Sequence, residues 1–131
     1  MAGGAEEIGA NCCYLDLDGT GIFIDAGLHP RDRTEHVFPS FDAIADRPTD
    51  LALITHAHTD HVGALPYLLR RFPHVRPVMT FATRDLTHIM LPNGAKLLRA
   101  EMQGVVPNDW LEFYDRNQID RLQKKLEATR S

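Results

Sequence analysis

The sequence predicts an α/β fold, in which helices cover a β-sheet. Residues 13–17 and 21–25 alternate apolar with polar side chains around a short turn, which predicts a β-hairpin. Residues 50–55 form a nearly continuous apolar run, which is typical of a strand buried on both faces. Later segments carry apolar residues at helical spacing. Strands interleaved with helices therefore favour a layered α/β domain.

The composition is that of one globular domain. The chain has 131 residues, of which 44% are hydrophobic and 24% are charged, and this is enough to form a core. No apolar run approaches the roughly 20 residues that a membrane span needs. The first residues also lack the features of a secretory signal. The net charge of −4 argues against a broad positive field for nucleic acid, although it allows local contacts.

The two cysteines, Cys12 and Cys13, are adjacent. Neighbouring residues on a strand point to opposite faces, so this pair is a poor candidate for a disulfide. One of the two is expected to pack as a small hydrophobic residue. Unpaired thiols are typical of a reducing compartment, so we expect a cytoplasmic protein.

The hairpin is the first predicted element. Asp18-Gly19 supplies its turn, and Asp25-Ala26-Gly27 ends the returning strand. Residues 29–49 then predict a long excursion rich in Pro, Arg and Asp, with a short helix near residues 41–45. The hairpin residues expected to supply buried faces are Leu15, Leu17, Ile22 and Ile24.

Helices and one more strand follow the apolar run at 50–55. Residues 62–72 predict a helix with Pro66 in its first turn, where a missing N–H costs little. Residues 77–81 predict a strand. Thr83 is expected to cap a helix that runs to about residue 91, where Pro92 begins an interruption.

The last predicted helix begins near Asp115. Asp115 and Gln118 resemble a capping box, because a side chain three residues on can complete the cap. Apolar residues then recur at helical spacing, at Ile119, Leu122 and Leu126. We expect this stripe to face the core; the alternative is a helix that binds a partner.

Histidines are concentrated in one short loop. The motif His56-Ala57-His58-Thr59-Asp60-His61 directly follows the buried strand and precedes a helix. Side chains at positions i and i+2 of an extended backbone project to the same side, so two imidazoles can reach one metal ion. Imidazole and carboxylate are the ligands expected for Zn²⁺ at a hydrolytic site. The histidines expected to be ordinary surface or core residues are His29, His36, His74 and His88.

This loop resembles the signature of the metallo-β-lactamase superfamily, whose fold is an αββα sandwich. The flanking segments at 3–9, 24–30, 63–68 and 77–84 are similar to those of the beta-CASP nucleases. That group includes ribonuclease J and the endonuclease of the cleavage and polyadenylation factor. The resemblance extends over most of the chain and implies the N-terminal half of the metallo-β-lactamase-like sandwich.

The resemblance also implies roles for individual residues. His56 and His58 would bind the first of two zinc ions, and Asp60 and His61 would bind the second. Asp60 would in addition take a proton from the attacking water, which makes it the expected catalytic residue. Asp25 would orient the histidine loop by hydrogen bonds; the alternative is a residue that only ends the strand.

The chain departs from the family pattern in two ways. No histidine follows His88, so the later metal-binding motifs are missing, and so is the beta-CASP insertion. Residues 1–131 are therefore expected to be a partial domain from a longer enzyme. With only two ligands for each ion, the isolated chain is expected to bind zinc weakly and to catalyse little. Ala10-Asn11 also stands where relatives often carry a basic residue, which puts a phosphate contact there in doubt.

The expected function is zinc-dependent hydrolysis, and the expected substrate is the phosphodiester bond of RNA in RNA processing. RNA or another nucleic acid would then be the partner. Two alternatives stay open at this point, because a fold does not determine a substrate. One is hydrolysis of a small ester, thioester or lactone, and the other is a catalytically incomplete fragment. Apolar surface left exposed in such a fragment would favour oligomer formation.

Overall fold

The computed structural model describes residues 3–9, 11–28 and 37–128. Its strands form one five-stranded sheet in the sequential order β1-β2-β3-β4-β5. The strand bounds are Gly3–Gly9 (β1), Cys12–Leu17 (β2), Thr20–Ile24 (β3), Leu51–Leu53 (β4) and Arg76–Val78 (β5). The α/β class that the sequence predicted is therefore confirmed.

The sheet is mixed. Strands β1, β2 and β3 are antiparallel to one another, whereas β3, β4 and β5 run parallel. Asp18 and Gly19 both have positive φ, at 51° and 88°. A two-residue turn with positive φ at both positions matches the twist of the two strands that it joins. The hairpin prediction is confirmed, but β1 had not been predicted.

The helices are short except for two. Their bounds are Thr59–Val62 (α1), Leu65–Arg71 (α2), Phe81–Met102 (α3), Asn108–Leu111 (α4) and Arg116–Ala128 (α5). Single 3₁₀ turns lie at Phe41–Ile44 and Glu112–Tyr114. The helix predicted at 62–72 corresponds to α2, which begins three residues later than predicted because Val62 ends the separate helix α1.

The predicted interruption at Pro92 is wrong, since α3 continues through it. A proline inside a helix cannot donate a hydrogen bond to the carbonyl four residues earlier, which here belongs to His88. The side-chain amide of Gln123 donates to that carbonyl at 2.8 Å. The cap prediction is also wrong by one turn: Thr80 is the cap, and its hydroxyl accepts from the Thr83 N–H at 3.1 Å.

One face of the sheet is closed by aromatic side chains. Phe23 on β3 is fully buried, and its ring contacts Tyr14 on β2, Phe41 and Phe72 with centroid distances of 5.6–5.8 Å. Phe41 belongs to the 3₁₀ turn at Phe41–Ile44, and Phe72 follows the last residue of α2. Segments distant in sequence therefore cover this face.

The C-terminal helix packs as the sequence predicted. The N–H of Gln118 donates to the Asp115 carboxylate at 2.9 Å, which caps the first turn of α5. The predicted stripe is buried, at Ile119, Leu122 and Leu126. Within the residues that the structure describes, no helix is both long enough and apolar enough to span a membrane.

Candidate metal centre

The histidine loop begins where the parallel part of the sheet ends. After β4, the N–H of Ile54 donates to the carbonyl of Val78 at 2.9 Å, which extends the pairing with β5 by one residue. The chain then leaves the sheet through residues 55–58 and enters α1. The N–H groups of His61 and Val62 both donate to the carbonyl of His58, at 2.8 and 2.9 Å. Strand β4 and a helical turn thus fix the two ends of the loop.

Asp25 lies directly beside this loop, at the end of the neighbouring strand β3. Its N–H donates to the carbonyl of Leu53 at 2.8 Å. Its φ of 63° lies in the left-handed region, which is uncommon for a residue with a side chain and costs free energy. This conformation directs the buried carboxylate toward Thr55. One oxygen accepts the Thr55 N–H at 2.7 Å, and the other accepts the Thr55 hydroxyl at 2.7 Å.

The same carboxylate contacts a loop histidine. Nδ1 of His61 lies 3.0 Å from Oδ2 of Asp25. Because an ionised carboxylate only accepts hydrogen bonds, this contact assigns the proton to Nδ1 of His61. The lone pair of His61 is then on Nε2, the other ring nitrogen.

Thr55 connects the carboxylate to a second imidazole. The Thr55 hydroxyl has one proton, and its short contact to Asp25 uses that proton. Nδ1 of His56 lies 2.8 Å from the same hydroxyl oxygen, so this ring nitrogen must be the donor. The lone pair of His56 is therefore also on Nε2. One carboxylate thus sets the tautomers of two histidines, directly for His61 and through Thr55 for His56, and the lone pair of each ring is placed on Nε2.

These three side chains form one close group. Ligand atoms of Asp25, His56 and His61 all lie within 4.8 Å of one another, and the rings of His56 and His61 are 4.6 Å apart between centroids. Asp25 is buried, His61 is half-buried and His56 is exposed. Imidazole nitrogens at a solvent-accessible loop fit a divalent metal such as zinc. The group is therefore a candidate metal centre.

The other predicted ligands stand differently. His58 is exposed on the loop and is not a member of the close group found among the described residues. Asp60 lies in α1, and its side chain is outside the part of the chain that the structure describes.

His29 and His36, which were expected to be ordinary residues, fall in the undescribed segment 29–36. His74 is exposed, and its Nε2 lies 2.7 Å from the hydroxyl oxygen of Thr49.

Two supporting contacts had not been predicted. Thr55, which precedes the motif, is the residue that joins Asp25 to His56. Tyr114 donates its phenolic proton to the carbonyl of Gly63 at 2.7 Å, and burial raises the pKa of this phenol, so it stays a donor. In the sequence, the threonine that directly precedes the first histidine was the one feature that could have indicated the Thr55 contact. The second contact joins residues 51 positions apart.

The backbone around Ala26 links the same elements. Its N–H donates to the carbonyl of His61 at 2.8 Å, and its carbonyl accepts the N–H of Ala64 at 2.7 Å. Ala26 is fully buried, so these bonds are shielded from water. They hold α1 and the start of α2 against the end of β3, which keeps His61 beside Asp25.

Comparison with known proteins identifies a family for most of the chain. The sequence profile described as "Metallo-beta-lactamase superfamily" matches residues 6–125. A crystal structure of a metallo-beta-lactamase from Hirschia baltica covers 65% of this chain and 40% of its own, with 18% identity and a TM-score of 0.45.

Curated relatives are similar over a larger part of the chain. The cleavage and polyadenylation specificity factor subunit 3-I of Arabidopsis thaliana is 30% identical over 96% of this chain. The cleavage and polyadenylation specificity factor 73 of Drosophila melanogaster is 35% identical over 72% of it, and the endoribonuclease ysh1 of Aspergillus fumigatus is 32% identical over 72%. The matched segments are 17%, 14% and 11% of those proteins, so this chain corresponds to a small part of each.

Proposed function

Because the chain belongs to the metallo-beta-lactamase superfamily, we propose that it supplies the metal-binding histidine loop of a zinc-dependent ribonuclease. One observation carries the proposal. The carboxylate of Asp25 sets the tautomers of His56 and His61, directly and through Thr55, which places the lone pair that can bind a cation on Nε2 of each ring. Hydrogen bonds of this kind orient metal-binding histidines and raise their basicity.

The proposed roles follow from the side chains. His56 and His58 hold one cation, and His61 and Asp60 hold the second. Asp25 is a positioning residue, because both of its oxygens accept hydrogen bonds from its neighbours. Bound zinc would lower the pKa of water and stabilise negative charge on a phosphate. Asp60 then serves as the base that accepts the proton of the attacking water.

RNA is the substrate that the relatives support. The Aspergillus fumigatus relative is named an endoribonuclease, and two others are named cleavage and polyadenylation specificity factors. The net charge of −4 means that RNA is not attracted by the chain as a whole. Attraction of the RNA backbone to the catalytic site would therefore depend on cations held at the histidine loop.

The ligand count indicates that further residues complete the site. A catalytic zinc site usually has three protein ligands and one open position. The proposed set provides two ligands for each of two ions, so each ion lacks at least one partner. We therefore propose that residues 1–131 act as the N-terminal part of a longer catalytic domain, and that alone they bind zinc weakly.

The test is RNA cleavage by the longest natural product of the reading frame that encodes residues 1–131. Asp60→Asn keeps the size of the side chain but removes its charge and its ability to take a proton. We expect it to reduce cleavage of a labelled oligoribonucleotide by at least about 100-fold. His58→Ala should reduce both cleavage and the bound zinc, measured by elemental analysis of the purified protein.

His74→Ala is the matched control, because His74 is an exposed histidine outside the loop. It should retain the zinc content and the cleavage rate of the parent. Cleavage that survives both loop substitutions would exclude this site as the catalytic centre. If the loop substitutions remove zinc but the parent itself cleaves no RNA, the loop is a metal site and the ribonuclease proposal is rejected.

A further inference from the structure

A cavity lies in the helical layer, apart from the histidine loop. It has a volume of about 550 Å³ and lies between α3 and the start of α5. The residues that line it belong to 92–99 and 114–120, so no residue of the candidate metal centre takes part. Its size falls within the range of roughly 300–1,000 Å³ that is usual for small-molecule sites.

The charge of this cavity is opposite to that of the whole chain. Lys96, Arg99 and Arg116 line it together with a single carboxylate, that of Asp120. The lining thus carries more positive than negative charge, whereas the chain has a net charge of −4. Cations that converge on a concave surface attract an anion far more strongly than scattered surface cations do.

Arg99 is the most enclosed of the three cations. Its side chain is half-buried, whereas Lys96 and Arg116 are exposed. Its Nε is covered by protein atoms, which restricts the side chain before a ligand binds. The same residue lines the cavity.

The geometry of these groups favours phosphate oxygens. A guanidinium presents its donors in a rigid fork that matches two oxygens of a phosphate, and a lysine adds a point charge. Arg116 is also the first residue of α5, so the start of this helix carries one of the three cations. We propose that this cavity binds a small phosphorylated molecule through Lys96, Arg99 and Arg116.

The experiment titrates the metal-free protein with inorganic pyrophosphate in a buffer that contains EDTA, so that the histidine loop cannot contribute through bound metal. Isothermal calorimetry measures binding at constant ionic strength. The test variant is Lys96→Gln combined with Arg116→Gln, both at exposed positions. The matched control is Arg121→Gln combined with Lys124→Gln, which removes the same charge from exposed positions of α5 outside the cavity.

We expect one saturable pyrophosphate site in the parent and in the control. The test variant should bind at least about tenfold more weakly, which corresponds to the loss of charge-assisted hydrogen bonds. Absence of a saturable site in the parent, or equal weakening in both double variants, would overturn the proposal. A 12-nucleotide oligouridylate that displaces pyrophosphate at lower concentrations than pyrophosphate itself requires would also reject it, because the site would then be one for nucleic acid.

Discussion

The two faces of the β-sheet both carry apolar side chains, but the described residues cover them unequally. Tyr14 and Phe23 are fully buried on one face. On the other face, Leu17 is 51% exposed, and its neighbours on the same side are only half-buried. Those neighbours are Leu15, Ile22, Ile24, Leu51, Leu53 and Val78. We call the first the covered face and the second the open face.

The adjacent cysteines show the same difference in burial between the two faces. Cys12 lies on the covered face and is fully buried, and this burial raises the pKa of its thiol. Cys13 lies on the open face and is exposed. The prediction that neighbouring strand residues would separate these thiols is confirmed. A step of one residue along β2 therefore takes a side chain from the core to solvent.

The difference shows that strand composition alone does not reveal which face is covered. A sheet with one solvated face usually alternates apolar with polar residues, whereas this sheet is apolar on both sides. Its composition fits an αββα sandwich, in which both faces are covered. This agrees with the proposal that residues 1–131 are part of a longer domain.

The largest effect is expected from truncation of a side chain on the covered face. Phe23→Ala would leave a cavity among Tyr14, Phe41 and Phe72, because their rings contact Phe23 from three sides. We expect the free energy of unfolding to fall by about 3–5 kcal/mol, measured by urea denaturation. For a domain of this size, that loss is a large part of the total stability.

Phe81→Ala is the control for this substitution. Phe81 is 56% exposed at the start of α3, and the guanidinium of Arg84 lies over its ring at 4.9 Å. Its truncation should cost less than about 1 kcal/mol. Similar losses for the two variants would mean that the covered face is not the principal core.

A smaller loss is expected where backbone, not a side chain, closes the covered face. A Cβ on Gly21 would lie 1.7 Å from the carbonyl oxygen of Pro48, so the chain at 48–49 would have to move. That movement would also strain the bond from the Gly21 N–H to the Asp50 carboxylate, which is 2.8 Å long. We expect Gly21→Ala to destabilise the protein by about 1–3 kcal/mol in the same denaturation assay.

Thr20→Ala is a suitable comparison, because Thr20 is the exposed neighbour of Gly21 on β3. Its effect should be within about 0.5 kcal/mol. Equal stability of Gly21→Ala and the parent would show that the segment at 48–49 does not seal this face.

Local sequence signals predicted the hairpin and the capped helix α5, because their determinants lie within a few residues of each other. Strand β1 escaped prediction, since its glycines and glutamates have low β-propensity and pairing with β2 stabilises it. The His88 carbonyl, which Pro92 cannot bond, accepts instead from a distant residue, Gln123. Contacts between distant segments were therefore the part of the fold that the pattern did not contain.

The candidate site, like the fold, could be predicted from the sequence only in part. The motif identified the histidine loop, because three histidines and an aspartate lie within six residues. The motif did not reveal that Thr55 would connect Asp25 with His56, nor that Asp25 would have a left-handed backbone. These features arise where the ends of β3 and β4 meet. The roles of His58 and Asp60 stay predictions.

The smallest change in stability is expected on the open face, where the informative readout is association. Leu17→Lys replaces an exposed side chain and should alter the free energy of unfolding by no more than about 0.5 kcal/mol. If molecules of this protein associate through the open face, the parent will associate as its concentration rises. The variant will associate less, because a charge interrupts the apolar patch. Sedimentation velocity at several concentrations measures this.

Leu97→Lys makes the same change on the helical layer, where Leu97 on α3 is 61% exposed. It should leave association unchanged, since the comparison attributes association to the sheet and not to exposed leucines in general. The opposite result, in which only Leu97→Lys suppresses association, would show that the molecules associate through α3. The open face would then be an ordinary solvent-exposed surface, and its apolar composition would no longer support a second layer.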